Sequence, residues 1–254
     1  MTPRRDDRRP RFPGAGEIRL GPPSSGPAFA VPKHRPGLPI VAFVLAALNV
    51  VIYVWDRQGV LFGPSIVFAD LGMRPREVAS ALWGMAHGST GDRFPLVTVL
   101  TAMFLHGGML HLLGNLVFLL VFGAGVEEAI GSVRFALYYL GWGLAAAAAQ
   151  IWVNPGSTVP TLGASGAIGG ALGAYFLLFP ASKIEIALPF FDFEVPAYLL
   201  LGGWFLWQIF APQEGVANWA HVGGFVAGMV TILVAGGRTA VLKGAGMNPA
   251  LPDG

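Results

Sequence analysis

Gly163-Ala164-Ser165-Gly166-Ala167-Ile168-Gly169-Gly170-Ala171-Leu172-Gly173 decides how this chain folds. Before it stands a dense cluster of helix breakers, Asn154-Pro155-Gly156-Ser157-Thr158-Val159-Pro160, which ends the preceding apolar segment. The next helix therefore starts late, close to Ser165. Gly163, Gly166, Gly169, Gly170 and Gly173 give it a smooth face that a neighbouring helix can approach closely. Non-helical backbone at membrane depth is tolerated only inside protein or along a wet cavity. A serine at the start of a sunken helix is thus expected to face such a cavity.

Working outward, apolar stretches recur at residues 40–55, 108–125, 135–153, 167–180, 195–211 and 216–235. Only 12% of the 254 residues are charged, against about 25% in soluble chains, and the mean hydropathy is +0.61. Most of these stretches reach the ~17–25 residues needed to cross the hydrocarbon core, and the fourth and fifth are short for it. The expectation is an all-α membrane protein, a six-transmembrane-helix bundle with a long first loop and a short fourth helix starting at mid-depth. Residues 38–237 form its one integral domain, residues 1–37 a disordered basic cytoplasmic tail, and residues 238–254 a short C-terminal tail. Within the first loop (56–94), residues 75–83 carry a helical apolar pattern suited to the membrane surface.

Charge sets the expected orientation. Eight of the 16 basic residues precede the first span, and Arg238 and Lys243 follow the last. The positive-inside bias places both termini in the cytoplasm, although Arg57, Arg74, Arg76 and Arg93 in the first loop oppose it. The basic excess suits anionic membrane lipid rather than nucleic acid. The first 36 residues lack the apolar core of a cleavable signal, and Asp6, Asp7 and Glu17 argue against a transit peptide. A multi-pass protein of a bacterial inner (plasma) membrane is expected. The absence of cysteine excludes disulfides and thiol catalysis.

Polar groups of catalytic type are costly inside a membrane, so each marks a functional hypothesis. His221 opens the last apolar stretch in Trp219-Ala220-His221-Val222-Gly223-Gly224, three residues before a Gly224-x-x-x-Gly228 face. Two glycine-rich helices can bring Ser165 and His221 together as a nucleophile and its base. Ser165, where a loop becomes a helix, also has unpaired backbone N–H groups nearby to hold a developing oxyanion. A third cluster runs His106-Gly107-Gly108-Met109-Leu110-His111-Leu112-Leu113-Gly114-Asn115. His111 and Asn115, at i and i+4, share a helix face and suit an oxyanion hole, while His106 braces the loop. The competing use of His106, His111 and His221 as metal ligands lacks an Asp or Glu in the spans beside them, so no metal is expected.

With these three motifs in this order, the chain resembles the rhomboid intramembrane serine proteases over about residues 95–228. The resemblance implies a six-helix core with Ser165 as nucleophile and His221 as general base. It also implies His111, Asn115 and the N–H of Ser165 as the oxyanion hole, with His106, Gly163, Gly166, Gly224 and Gly228 in support. The implied activity is hydrolysis, without a cofactor, of peptide bonds in or near transmembrane segments of membrane-protein substrates. The alternative is a non-proteolytic rhomboid-like protein that binds membrane clients. Two departures stand out. Many relatives carry an aromatic residue four after the serine, beneath the histidine, where this chain has Gly169, so His221 is expected to be loosely held. The family's Trp-Arg pair in the first loop is also missing, with Arg93-Phe94-Pro95 near its place. Substrate identity and oligomeric state are not encoded in any of these features.

Overall fold

The computed structural model describes residues 38–65, 68–188, 191–213 and 215–250, so the expected N-terminal tail lies outside the described residues. The architecture is mostly helical. Helix α1 (Ile40–Asp56) leads into a loop carrying α2 (Phe68–Leu71) and α3 (Pro75–Ala86). Then come α4 (Phe94–Thr101) with a 3₁₀ turn at Ala102–Phe104, α5 (Met109–Phe118), and a π-helical turn (Leu119–Gly123) that runs into α6 (Ala124–Ile130). Helix α7 (Ser132–Val153) and the short α8 (Ser165–Leu178) follow. Strands β1 (Lys183–Leu188) and β2 (Phe191–Pro196), α9 (Ala197–Phe210), α10 (Asn218–Val234) and α11 (Gly237–Gly244) complete the order.

Two helices are long and apolar enough to cross a membrane unaided, Met109–Ile130 and Ser132–Val153, each of 22 residues. A third crosses if α10 and α11, bent by 72° at their junction, count as one span. Helices α1, α8 and α9 are apolar but only 17, 14 and 14 residues long. At 1.5 Å per residue, a 14-residue helix reaches about 21 Å, short of the ~30 Å hydrocarbon core. The shortness of α8 follows from the late start imposed by the breaker cluster. Around the bundle, Phe43, Val51, Leu137, Leu199, Phe210 and Leu233 form part of an exposed apolar belt, as expected of side chains that meet lipid rather than water.

Helix α8 is the central post, with residues 166–175 and Leu178 buried. It packs most extensively against α10. Small residues make this possible: a side chain at Gly224 would collide with the carbonyl oxygen of Gly166, and one at Gly228 with that of Gly170. The two backbones therefore meet directly, and Gly224-x-x-x-Gly228 works as the close-approach face expected of it. Trp142 of α7 closes the third side and donates its indole N–H to Thr231 Oγ1 at 2.9 Å.

Two buried ionisable residues tie distant segments. Glu127 (1% exposed) accepts the backbone N–H groups of Val41 at 2.9 Å and Ala42 at 2.8 Å, and the hydroxyl of Ser132 at 2.5 Å. Orphan donors at the start of α1 are thereby satisfied from α6. Arg57, just past α1, lies over the Tyr53 ring and donates to the carbonyl oxygens of Gly63 at 2.6 Å and His106 at 2.9 Å. Arg57 thus anchors the first loop, while Arg93 is exposed. The expected surface helix in that loop exists as α3, with Val78 buried and Leu82, Trp83 and Met85 outward. The hairpin β1–β2, antiparallel with Lys183 opposite Pro196 and Leu188 opposite Phe191, departs from an all-helical reading. Its Lys183-Ile184-Glu185-Ile186 alternation has the period of a strand.

Candidate active site

The loop before α8 is held on both sides. Met73 and Thr161 exchange backbone hydrogen bonds, and the Gly163 N–H donates to the Ala102 carbonyl at 2.8 Å. Gly163 has φ +116°, a conformation that disfavours any side chain. A Cβ there would also lie 2.8 Å from the imidazole of His111. Gly163 is therefore required twice, for its backbone and for the ring above it. Two residues later α8 begins at Ser165, so the Ser165 N–H belongs to the first helical turn, where donors have no intrahelical partner.

From α10, His221 reaches this point with Nε2 2.8 Å from Ser165 Oγ. The hydroxyl donates to that nitrogen when the ring is neutral with its proton on Nδ1. The register that allows this is fixed nearby, because the Ala220 N–H donates to Gln150 Oε1 of α7 at 3.2 Å. The other ring nitrogen, Nδ1, stands 2.8 Å from Gln208 Oε1 of α9. Trp204, one turn earlier on α9, lies with its ring centroid 5.6 Å from that of His221 at 39°. His221 is therefore not loosely held. The aromatic contact and a second hydrogen bond come from α9 rather than from the position after the serine. Position 169 supplies neither, since glycine has no side chain, and a Cβ there would be tight at 3.0 Å from the His221 carbonyl oxygen.

Helix α5 brings the third group. His111 and Asn115 both line a cavity of about 390 Å³ together with Ser165, Trp204 and His221, a volume in the range of small-ligand pockets. Asn115 is 7% exposed, and its amide nitrogen is a buried donor with no partner among the described residues. Unpaired buried donors are rare, and one lining a cavity marks a place where an acceptor can bind. His106 is 1% exposed; its Nδ1–H donates to the Phe104 carbonyl at 3.3 Å, and its ring meets that of His111 edge-on at 5.3 Å. Among the described residues, no three His, Asp or Glu side chains converge as a metal site. A smaller pocket of about 40 Å³ lies beside Ser165 and Gly163, next to Met73 and Thr161, with room for ordered water.

The sequence motifs that meet here are those of one protein family. The family model described as the Rhomboid domain matches residues 93–238, more than half of the chain. The chain belongs to the rhomboid family. This rhomboid is 28% identical over 176 residues to RHOMBOID-like protein 5 of Arabidopsis thaliana, covering 68% of this chain and 51% of the relative. It is 34% identical over 131 residues to Rhomboid protease GluP of Bacillus subtilis (strain 168), covering 51% of this chain and 24% of that protein. With Rhomboid protein 1, mitochondrial, of Saccharomyces cerevisiae (strain ATCC 204508 / S288c), it shares 30% identity over 147 residues, 53% of this chain and 40% of the relative. The chain thus spans about half or less of the length of these three relatives. As a rhomboid with apolar helices, it is an integral membrane protein.

Gln208 and Trp204 were not among the residues expected at the site. A signal for Gln208 exists, because it is an amide in an otherwise apolar helical segment. Its partner could not be read, because the i, i+4 pair it forms with Trp204 faces a helix reached only through the 211–217 loop.

Proposed function

We propose that this rhomboid is an intramembrane serine endopeptidase that hydrolyses peptide bonds in or near transmembrane segments of other proteins. One observation carries the proposal: Ser165 Oγ and His221 Nε2 lie 2.8 Å apart in a cavity also lined by Asn115, whose buried amide nitrogen has no partner among the described residues. That is the spacing of an activated nucleophile and its base beside an oxyanion donor. GluP, which shares the family, is named a protease.

In the proposed reaction, Ser165 Oγ attacks the scissile carbonyl carbon as its proton passes to His221 Nε2. The carbonyl oxygen becomes an oxyanion held by the Ser165 N–H, Asn115 Nδ2 and the His111 ring. Collapse breaks the C–N bond, and the leaving amine takes the proton from His221. Water, deprotonated by His221, then attacks the acyl carbon. Collapse breaks the bond to Ser165 Oγ, which takes the proton back from His221, and the carboxylic acid product leaves. No acidic residue contacts His221 in the described hydrogen bonds, so the base works without the carboxylate of a triad.

The proposed topology is six spans, with α1, α5–α6, α7, α8, α9 and α10 crossing or nearly crossing and both termini cytoplasmic. The short α8 is accommodated by burial in the bundle, and the largely exposed α9 by local thinning of the bilayer. The relatives include plant and mitochondrial proteins, so they do not support a bacterial plasma membrane. The deciding test is labelling of purified protein by a fluorophosphonate, with the adduct mapped by mass spectrometry. Modification at Ser165, absent from Ser165→Ala and His221→Ala, supports the proposal. Cleavage of a model substrate by pure Ser165→Ala protein would sink it.

A further inference from the structure

A dyad histidine with no carboxylate partner still needs its tautomer fixed. The base must present a bare Nε2 to the serine, so the proton must stay on Nδ1, and an acceptor at Nδ1 is the usual device for keeping it there. In this rhomboid the atom at that position is an amide oxygen. The geometry points to Gln208 as the positioning residue of the base: its Oε1 accepts the Nδ1–H of His221, and Trp204, one turn earlier on α9, holds the face of the same ring. The inference rests on the proposed hydrolase reading and deepens it.

Four observations carry it. First, the ring is clamped at both ends, with 2.8 Å to Ser165 on one side and 2.8 Å to Gln208 on the other. Second, Gln208 is 6% exposed in an apolar helix, where an amide is retained only if it is hydrogen bonded. Third, the Trp204 and Gln208 side chains lie four residues apart on one face of α9, so one helix surface supplies both restraints. Fourth, the α8 residue packed against the His221 backbone is Gly169, which has no side chain to support the ring, and a Cβ there would already be tight at 3.0 Å from the His221 carbonyl oxygen. Each restraint that α8 cannot offer is thus supplied by α9.

The neutrality of Gln208 has a consequence. An amide orients the ring but brings no charge to stabilise the imidazolium that forms during attack. Of the titratable groups around the ring, His111 faces it across the cavity from α5; Ser165 of α8, Gln150 of α7, and Trp204 and Gln208 of α9 are neutral. A carboxylate placed at position 208 would favour the protonated ring, so the base would become competent only at higher pH.

The test uses the full chain in proteoliposomes as wild type, Gln208→Leu, Gln208→Glu and Trp204→Leu. Cleavage of a model transmembrane substrate gives kcat, KM and a pH profile. Ring ¹⁵N spectra of histidine-labelled protein report the His221 tautomer without requiring activity, and the chain has only five histidines to assign. Gln208→Leu is expected to lower kcat about 10- to 100-fold, the scale of one lost orienting hydrogen bond, with KM within twofold. Its spectrum should lose the single Nδ1–H form. Gln208→Glu, nearly isosteric and so expected to fold even if the leucine variant does not, should recover most of the rate. Its acid limb should move up by about one pH unit. Trp204→Leu should lower kcat less than Gln208→Leu and leave the tautomer intact. Wild-type kcat with an unchanged His221 spectrum in Gln208→Leu overturns the inference. So does a Gln208→Glu variant with an unshifted pH profile, because a merely structural amide would behave that way. If wild-type protein neither cleaves substrate nor takes up fluorophosphonate, the hydrolase reading fails, and the ring spectra still decide the role of Gln208.

Discussion

The carbonyl oxygen of Gly166 occupies the place where a side chain on Gly224 would begin. Helices α8 and α10 are thereby locked in register, and that register sets Ser165 against His221, because each residue lies on the same helix as one of the two glycines. The hydrogen bond between serine and histidine is a consequence of glycine packing one turn away.

Gly224→Ala is therefore expected to separate α8 from α10 and to cost about 1–3 kcal/mol, as overpacking does, because the obstacle is main chain and cannot rotate aside. Gly228→Ala, facing the Gly170 carbonyl, should behave alike. Thermal unfolding in detergent should show a lowered midpoint for both. Cleavage should fall even where the protein stays folded, since the Ser165–His221 distance grows with the helix separation. Full stability in both variants would mean that the helices slide apart at no cost.

Ser165→Ala should abolish cleavage while leaving the unfolding midpoint nearly unchanged, since one half-buried hydroxyl is lost from a helix start. His221→Ala should match it in rate, and the double variant should be no slower than either single one, as members of one catalytic unit do not add. Kinetics on the three purified proteins check this. A double variant far slower than both singles would assign the residues separate roles.

Asn115→Ala should lower kcat by roughly 10²–10³ with little change in KM, the usual effect of losing one oxyanion donor. Its stability should not fall and is expected to rise slightly, because the variant removes a buried amide donor that has no partner among the described residues. The combination separates function from structure. An asparagine that braced two helices would give the opposite pattern, with stability lost and rate retained.

Much of this site could be read from the chain because its motifs are local. His111 and Asn115 share a face by spacing alone, and Gly224-x-x-x-Gly228 announces a close helix contact whichever helix meets it. Ser165 was legible because a breaker cluster stops just before it. What stayed hidden depends on how separate helices rotate against one another. Nothing in the spacing of Trp204 and Gln208 says that their face turns toward α10, nor that Arg57 reaches the carbonyl of His106. The span count is obscure for a different reason: α1, α8 and α9 are all too short for a length criterion, so only their place in the bundle argues for a crossing.

Position 169 is where sequence and structure diverge most usefully. An empty space beneath His221 would accept an aromatic side chain and gain order from it. The structure instead places the backbone of α10 there, with the His221 carbonyl oxygen 3.0 Å and the Phe225 nitrogen 3.5 Å from the site of a Cβ. Gly169→Ala needs a shift of a few tenths of an ångström, and the expected result is a folded, active protein with a modestly lowered unfolding midpoint. Gly169→Phe adds a ring beyond that already tight Cβ, so it is expected to lower the unfolding midpoint further and to reduce cleavage. Measuring both variants separates the two pictures. A Gly169→Phe protein as stable and active as wild type would mean that α8 and α10 yield enough to admit the ring.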